Sequence, residues 1–177
     1  KTKYQRKPDF LDGKVSSINK GTLYHLLLEL LPVKRYTIKS LEEEIDEIIK
    51  NGKILESDKK IIRLEDIFSY LTSDIYENLL YSDKYYKEMP INFYIPSSYY
   101  DNSLKSGNIL SSGVIDLLFI TNDTYNIVDY KTDKVSSMDE LKDLYKIQLD
   151  LYEIALREKM NAKNVRKFIY SIYLGKF

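Results

Sequence analysis

Apolar residues fall at helical spacing in one stretch of the chain and at strand spacing in the next, and that alternation predicts the elements. Leu23, Leu26, Leu27, Leu30 and Leu31 recur at i, i+3, i+4, i+7 and i+8, the stripe of a helix buried on one side, and Pro32 ends a helix predicted over 17–31. Residues 33–83 read as a helical insert. Ser40-Leu41-Glu42-Glu43 forms a capping box ahead of Leu41, Ile45, Ile48 and Ile49, and Gly52 supplies a stop. Ser57 and Ser73 read as further N-caps, and Leu64, Ile67, Phe68 and Leu71 followed by Ile75, Leu79 and Leu80 predict two short helices around Thr72-Ser73. The acidic run Glu42–Glu44 suits the first turn of a helix, and no chemistry is read in the insert.

The period then changes to two. Over 86–95, Met89, Ile91, Phe93 and Ile95 alternate with Glu88, Asn92 and Tyr94, and Pro90 puts this strand at an edge or a bulge. The stretch 96–112, rich in Ser, Asn, Gly and Tyr, predicts a loop or hairpin tip. Strands over 113–120 and 125–131 flank Thr121-Asn122-Asp123-Thr124, whose Asn and Asp suit a tight turn. Ser137-Met138-Asp139-Glu140 opens a helix to about Met160, with Leu141, Leu144, Tyr145, Leu151, Tyr152 and Ala155 on its buried face. A strand over 165–174 closes a right-handed β-α-β crossover parallel to 125–131. The fold class is therefore α/β, a mixed sheet flanked by helices with the insert at 33–83, in one domain over 1–177.

The hairpin carries the candidate chemistry. A two-residue loop at Asn122-Asp123 and a four-residue loop over 121–124 both pair Ile120 with Tyr125, so both set Asp116 across from Asp129. Alternation puts Asp129 and Lys131 on one face, with Asp116 beside them. Opposed carboxylates repel, by about 4 kcal/mol at about 4 Å and an effective dielectric near 20. A hard dication offsets that, because carboxylate oxygens are the ligands that magnesium and manganese prefer. Lys131 would then balance charge on a phosphate or on the nucleophile attacking it. Further candidates follow from position. His25, the only histidine, lies about 200° around its helix from Leu23, with Gly21 one turn before it on the same side, so a ligand can approach closely. Glu88, a third acid, lies on the polar face of its strand. Gln148 within an apolar stripe needs a partner, and Tyr152 is its i+4 neighbour.

Composition narrows the classes. The 177 residues are 44% hydrophobic and 13% aromatic, enough to bury one core. No apolar run approaches the ~20 residues of a membrane span, and no signal peptide is visible, so a soluble, cytoplasmic protein without membrane partners is expected. The absence of cysteine removes disulfides, zinc-thiolate sites and cysteine-ligated iron–sulfur clusters. The formal charge is zero, so contact with nucleic acid is expected to be local or supplied by a neighbour; Lys1, Lys3, Arg6 and Lys7, and Lys163, Arg166 and Lys167, are the basic clusters available. With Lys1 first, the chain is expected to be a piece of a larger one.

Taken together, GTLYH on a helix, KEMP on a strand, GVIDLLF, IVDYKTD and YKIQLDLY on a helix resemble the RecB-like nucleases of the PD-(D/E)XK, or restriction endonuclease-like, superfamily over residues 17–177, and SIYLGKF is similar to that family's last core strand. Within it the likeness is to the nuclease domains of AddA-type helicase–nucleases. The resemblance implies His25, Asp116 and Asp129 as side-chain metal ligands, with the Tyr130 carbonyl as a fourth. It implies Lys131 as the catalytic lysine, Glu88 as an additional acid near the site, and Gln148 and Tyr152 as the Q-x-x-x-Y pair that positions DNA or the lysine. It further implies Mg2+ or Mn2+ without an iron–sulfur cluster. The implied activity is exonucleolytic hydrolysis of DNA, on a single strand fed from unwound duplex, by a domain attached to a helicase motor and partnered by an AddB-like protein in recombinational repair of double-strand breaks. The alternatives are a stand-alone phage-type or CRISPR-associated exonuclease and an inactive nuclease-like module that binds DNA or a partner.

Overall fold

The computed structural model describes residues 19–97 and 106–177. Helix α1 (Lys20–Leu30) leads into α2 (Ile38–Lys50), a short 3₁₀ helix (Glu56–Ile61), α3 (Leu64–Leu71) and α4 (Asp74–Leu80). Strands β1 (Lys84–Pro96), β2 (Asn108–Thr121) and β3 (Thr124–Lys131), helix α5 (Met138–Met160) and strand β4 (Asn164–Ser171) complete the chain. One sheet runs in the order β1-β2-β3-β4. Its first three strands are antiparallel neighbours, and β4 is parallel to β3. The sheet is mixed as expected, and β1, the strand with Pro90, lies at an edge.

Helices cover the sheet on both faces. Leu117, Phe119, Val128 and Tyr130 pack with α1 and the insert, while Ile115, Leu118, Ile127 and Ile169 pack with α5. The insert is also tied to β3 by polar contact, since the buried Tyr130 hydroxyl donates to that of Tyr70 over 2.8 Å. No helix of the described residues is long and apolar enough to cross a membrane.

The turn takes the two-residue form. Asn122 and Asp123 have φ of 48° and 57°, the paired left-handed conformation that suits the twist of a hairpin, and Ile120 pairs with Tyr125. Several boundaries differ from the expectation for local reasons. α2 is capped by Thr37, which exchanges side-chain and backbone hydrogen bonds with Ser40, so Ser40 is the third helical residue and not the cap. Ser57 lies inside the 3₁₀ helix, whereas Ser73 does cap α4. Residues 108–112, expected as loop, belong to β2, where they pair with 92–96; the predicted tip falls partly on 98–105, outside the described residues. Leu144 on α5 is 62% exposed, while Leu149 and Leu156 are buried, a rotation of the buried arc that lets the helix touch both β1 and β4. β4 ends at Ser171, because Ser171 Oγ accepts from the Leu174 amide and Gly175 takes φ of 65°, turning SIYLGKF back on itself.

Candidate active site

Two lapses in backbone pairing open the site. Glu88 has φ of 47°, a left-handed conformation that costs a non-glycine residue about 1–3 kcal/mol. On either side of it the register is continuous, Lys87 with Leu117 and Met89 with Ile115, but Glu88 and Asp116 do not pair. The β2–β3 ladder stops at Leu117 with Val128, one step before Asp116 and Asp129. Glu88, Asp116 and Asp129 thus occupy one row across three strands, where the ladder has let go.

Asp116 takes over part of the missing pairing. Its Oδ2 accepts the Tyr130 amide at 2.7 Å, and its Oδ1 lies 3.4 Å from His25 Nδ1. His25, Glu88 and Asp116 each offer a ligand atom, all within 4.8 Å of one another. The three line a cavity of about 650 Å³ together with Lys131, Tyr130 and Tyr145. Gly21 makes this approach of α1 to the sheet feasible, since a Cβ there would meet Thr132 Oγ1 at 2.8 Å.

Asp129 is placed differently. It is 1% exposed and does not line the cavity or join the group of three. Gln148 Nε2 donates to Asp129 Oδ1 at 3.0 Å and to the Tyr152 hydroxyl at 3.1 Å. Lys131 Nζ lies 2.7 Å from Asp129 Oδ2, an ion pair within the buried layer of the site. The same ammonium sits 4.0 Å from the centre of the Tyr145 ring. Tyr145 in turn donates to Asp133 over 3.0 Å. The predicted residues therefore form two connected groups. His25, Glu88 and Asp116 face the cavity; Asp129, Gln148 and Tyr152 stand behind Lys131, which links the two. Tyr130 contributes its amide to Asp116.

Electrostatics agree in sign across the site. Burial, assisted by the charge of Asp116, pushes the Glu88 carboxyl up to about 7. Burial also raises Asp129, against the pull of the Lys131 ammonium. For His25, burial acts downward, but the hydrogen bond and charge of Asp116 and the charge of Glu88 outweigh it and leave the imidazole raised. All three retain protons more strongly than usual, the mark of a site short of positive charge.

Sequence reasoning passed over two residues. A Cβ on Gly113 would lie 2.6 Å from a ring carbon of Tyr152, so this glycine is what lets the Tyr152 ring lie against β2. Its signal was a glycine inside a strand pattern, which marks close approach. Tyr145, expected only as a core residue, is the ring under Lys131. Among the basic clusters, Lys167 is occupied by Asp150 and Glu153 at 2.7 and 2.6 Å, and Lys1, Lys3, Arg6 and Lys7 lie outside the described residues.

Comparison with known proteins converges on one family. The family model for the PD-(D/E)XK nuclease superfamily matches residues 2–176. The A subunits of bacterial ATP-dependent helicase/nucleases are similar over nearly all of the chain: 35% identical over 187 residues in Staphylococcus haemolyticus, covering 97% of this chain, and 30% over 191 residues in Clostridium perfringens, covering 99%. The homologue of Clostridium botulinum strain Hall is 32% identical over 174 residues, covering 93% of this chain. The chain spans about 15% of the length of the first two relatives and 14% of the third. With the mixed sheet and helical flanks already described, the match over residues 2–176 means that this chain belongs to the PD-(D/E)XK nuclease superfamily.

Proposed function

We propose that this nuclease domain is a divalent-metal-dependent DNA exonuclease, and that it acts on a single strand delivered by a helicase motor within an ATP-dependent helicase–nuclease. The observation that carries the reading is the convergence of His25, Glu88 and Asp116 on one cavity beside Lys131. Two carboxylates and one imidazole are a donor set for Mg2+ or Mn2+. His25, Glu88 and Asp116, which face the cavity, would hold the ion, with the Tyr130 carbonyl as a further ligand. When bound, such an ion polarises a phosphoryl oxygen and makes water more acidic.

The chain's own residues supply the rest. Lys131 presents its ammonium to charge developing on the phosphate and orients the attacking water. Asp129 fixes that ammonium, Gln148 fixes Asp129, and Tyr152 fixes Gln148. The likeness to helicase/nuclease A subunits supports the attachment to a motor; the wider role proposed, processing of double-strand breaks for recombinational repair in the cytoplasm with an AddB-like partner, is what the motif resemblance implies.

Calorimetric titration with Mn2+ and cleavage of end-labelled single-stranded DNA test the reading together. Saturable Mn2+ binding that is lost in Asp116→Ala, with mononucleotide or short products appearing only when the ion is present, is the expected result. Folded protein that takes up no Mn2+ even with DNA added would leave the alternative of an inactive binding module.

A further inference from the structure

Adjacent residues of a strand normally point to opposite faces, yet Lys87 and Glu88 both serve α1. The left-handed turn at Glu88 makes this arrangement feasible. While Glu88 joins His25 in the cavity, Lys87 directs its ammonium to the end of the same helix. Its Nζ donates to the carbonyls of Leu28 at 2.8 Å and Glu29 at 3.1 Å, and also to that of Leu31. These carbonyls at the last turn of α1 lack onward helical partners and carry the negative end of the helix dipole, so a cation there is well placed. Burial pulls the Lys87 ammonium down to about 8, which still leaves it charged at neutral pH. His25 lies one turn before Leu28 and Glu29 on that helix.

We propose that Lys87 is a positioning residue for the metal site: it pins the C-terminal end of the helix bearing His25 to the strand bearing Glu88, and so sets the gap across which the two side chains meet an ion. This inference rests on the functional reading above, because it assigns Lys87 no contact with ion or substrate. The tie joins two elements far apart in sequence, and among the described residues Lys87 is the side chain that bonds this end of α1 to β1.

The test compares Lys87→Met and Lys87→Arg with Leu41→Ala, a cavity at a fully buried position of α2. Mn2+ affinity is read by calorimetry and by the electron paramagnetic resonance signal of free ion, alongside melting temperature and single-stranded DNA cleavage. Lys87→Met is expected to weaken Mn2+ binding by roughly tenfold or more, as loss of support behind ligands does, and to lower kcat with little change in KM for DNA. Lys87→Arg is expected to recover most of the affinity, since a guanidinium can reach the same carbonyls. Leu41→Ala should lower the melting temperature and leave Mn2+ affinity as in the wild type. Unchanged Mn2+ affinity in folded Lys87→Met, or equal losses in Lys87→Met and Leu41→Ala, overturns the inference while wild-type binding upholds the metal site. Should Lys87→Met not fold, Lys87→Gln, which keeps a shorter donor, takes its place under the same criteria. Wild-type protein that binds no Mn2+ overturns both readings.

Discussion

The insert and the row Glu88–Asp116–Asp129 follow opposite rules. In helices α2 and α4 of the insert the local choices agree with the fold: Leu41, Ile45, Ile48 and Ile49 are buried on one side of α2, Thr37 and Ser73 cap their helices, and charges such as Lys50 and Glu47 pair on the surface. Along the row the choices conflict. A non-glycine residue has a positive φ, the β1–β2 ladder skips the pair at Asp116 and the β2–β3 ladder stops just before it, and carboxylates crowd a half-buried cavity. Consistent segments are where stability resides, and conflicts that persist mark function. The two regions still touch, because Tyr70 of the insert holds the hydroxyl of Tyr130, the residue whose amide secures Asp116.

That contrast predicts a clean division of mutational effects. The largest is in the row. Asp116→Ala or Lys131→Ala should reduce cleavage of single-stranded DNA by about 10³-fold or more, given what one charge-stabilising group contributes, while circular dichroism and melting temperature stay near those of the wild type. Loss of fold in either variant would mean that the row, too, is structural. The converse is expected in the insert. Leu41, fully buried in α2, should cost about 2–5 kcal/mol when cut to Ala, with cleavage per folded molecule unchanged. A denaturant titration paired with active-site counting decides it.

Gly113 tests the boundary between the two regimes. Gly113→Ala would drive a methyl into the Tyr152 ring, a 2.6 Å approach, costing about 1–3 kcal/mol from overpacking. Because Tyr152 accepts from Gln148, which also holds Asp129, activity per folded molecule should fall as well. Equal losses of stability and none of activity would detach Tyr152 from the site. A smaller effect belongs to the cap of α2. Thr37→Ala should cost about 1 kcal/mol in a chemical denaturation curve, whereas Ser40→Ala would cost more than Thr37→Ala if Ser40 were the cap.

The hairpin was legible because its register is arithmetic: any even loop centred between Asn122 and Asp123 gives Ile120 with Tyr125, and the alternation of faces follows. Helix α1, the crossover to β4 and the Gln148–Tyr152 pair were legible for the same reason, that their periods are short and local. The site was less so. The turn of Glu88 into the cavity depends on a strained φ that nothing in KEMP announces, and it moved Glu88 from an additional acid to the centre of the cluster. The place of Asp129 behind Lys131 depends on where α5 puts Gln148, a tertiary fact. The phase of α5 itself was misjudged at Leu144 because an apolar residue near a helix's edge reads the same whether the helix touches one strand or two.

The subtlest separation of the two regions is in pH. A carboxyl whose pKa is higher in the folded state keeps a proton that the unfolded chain has released, so its stabilising effect is complete below the ordinary value of 4.5 and is lost as pH rises through about 7, the position of Glu88. In protein stripped of divalent ions, wild-type stability should therefore fall relative to Glu88→Gln across that window. Leu41→Ala in the insert removes no titratable group, so its curve should stay parallel to that of the wild type. Urea unfolding at steps between pH 4 and 8 reads the difference directly. If the Glu88→Gln curve ran parallel to the wild type, the cavity would be better hydrated than its geometry indicates, and the shortage of positive charge that argues for a bound dication would rest on Asp129 and His25 alone.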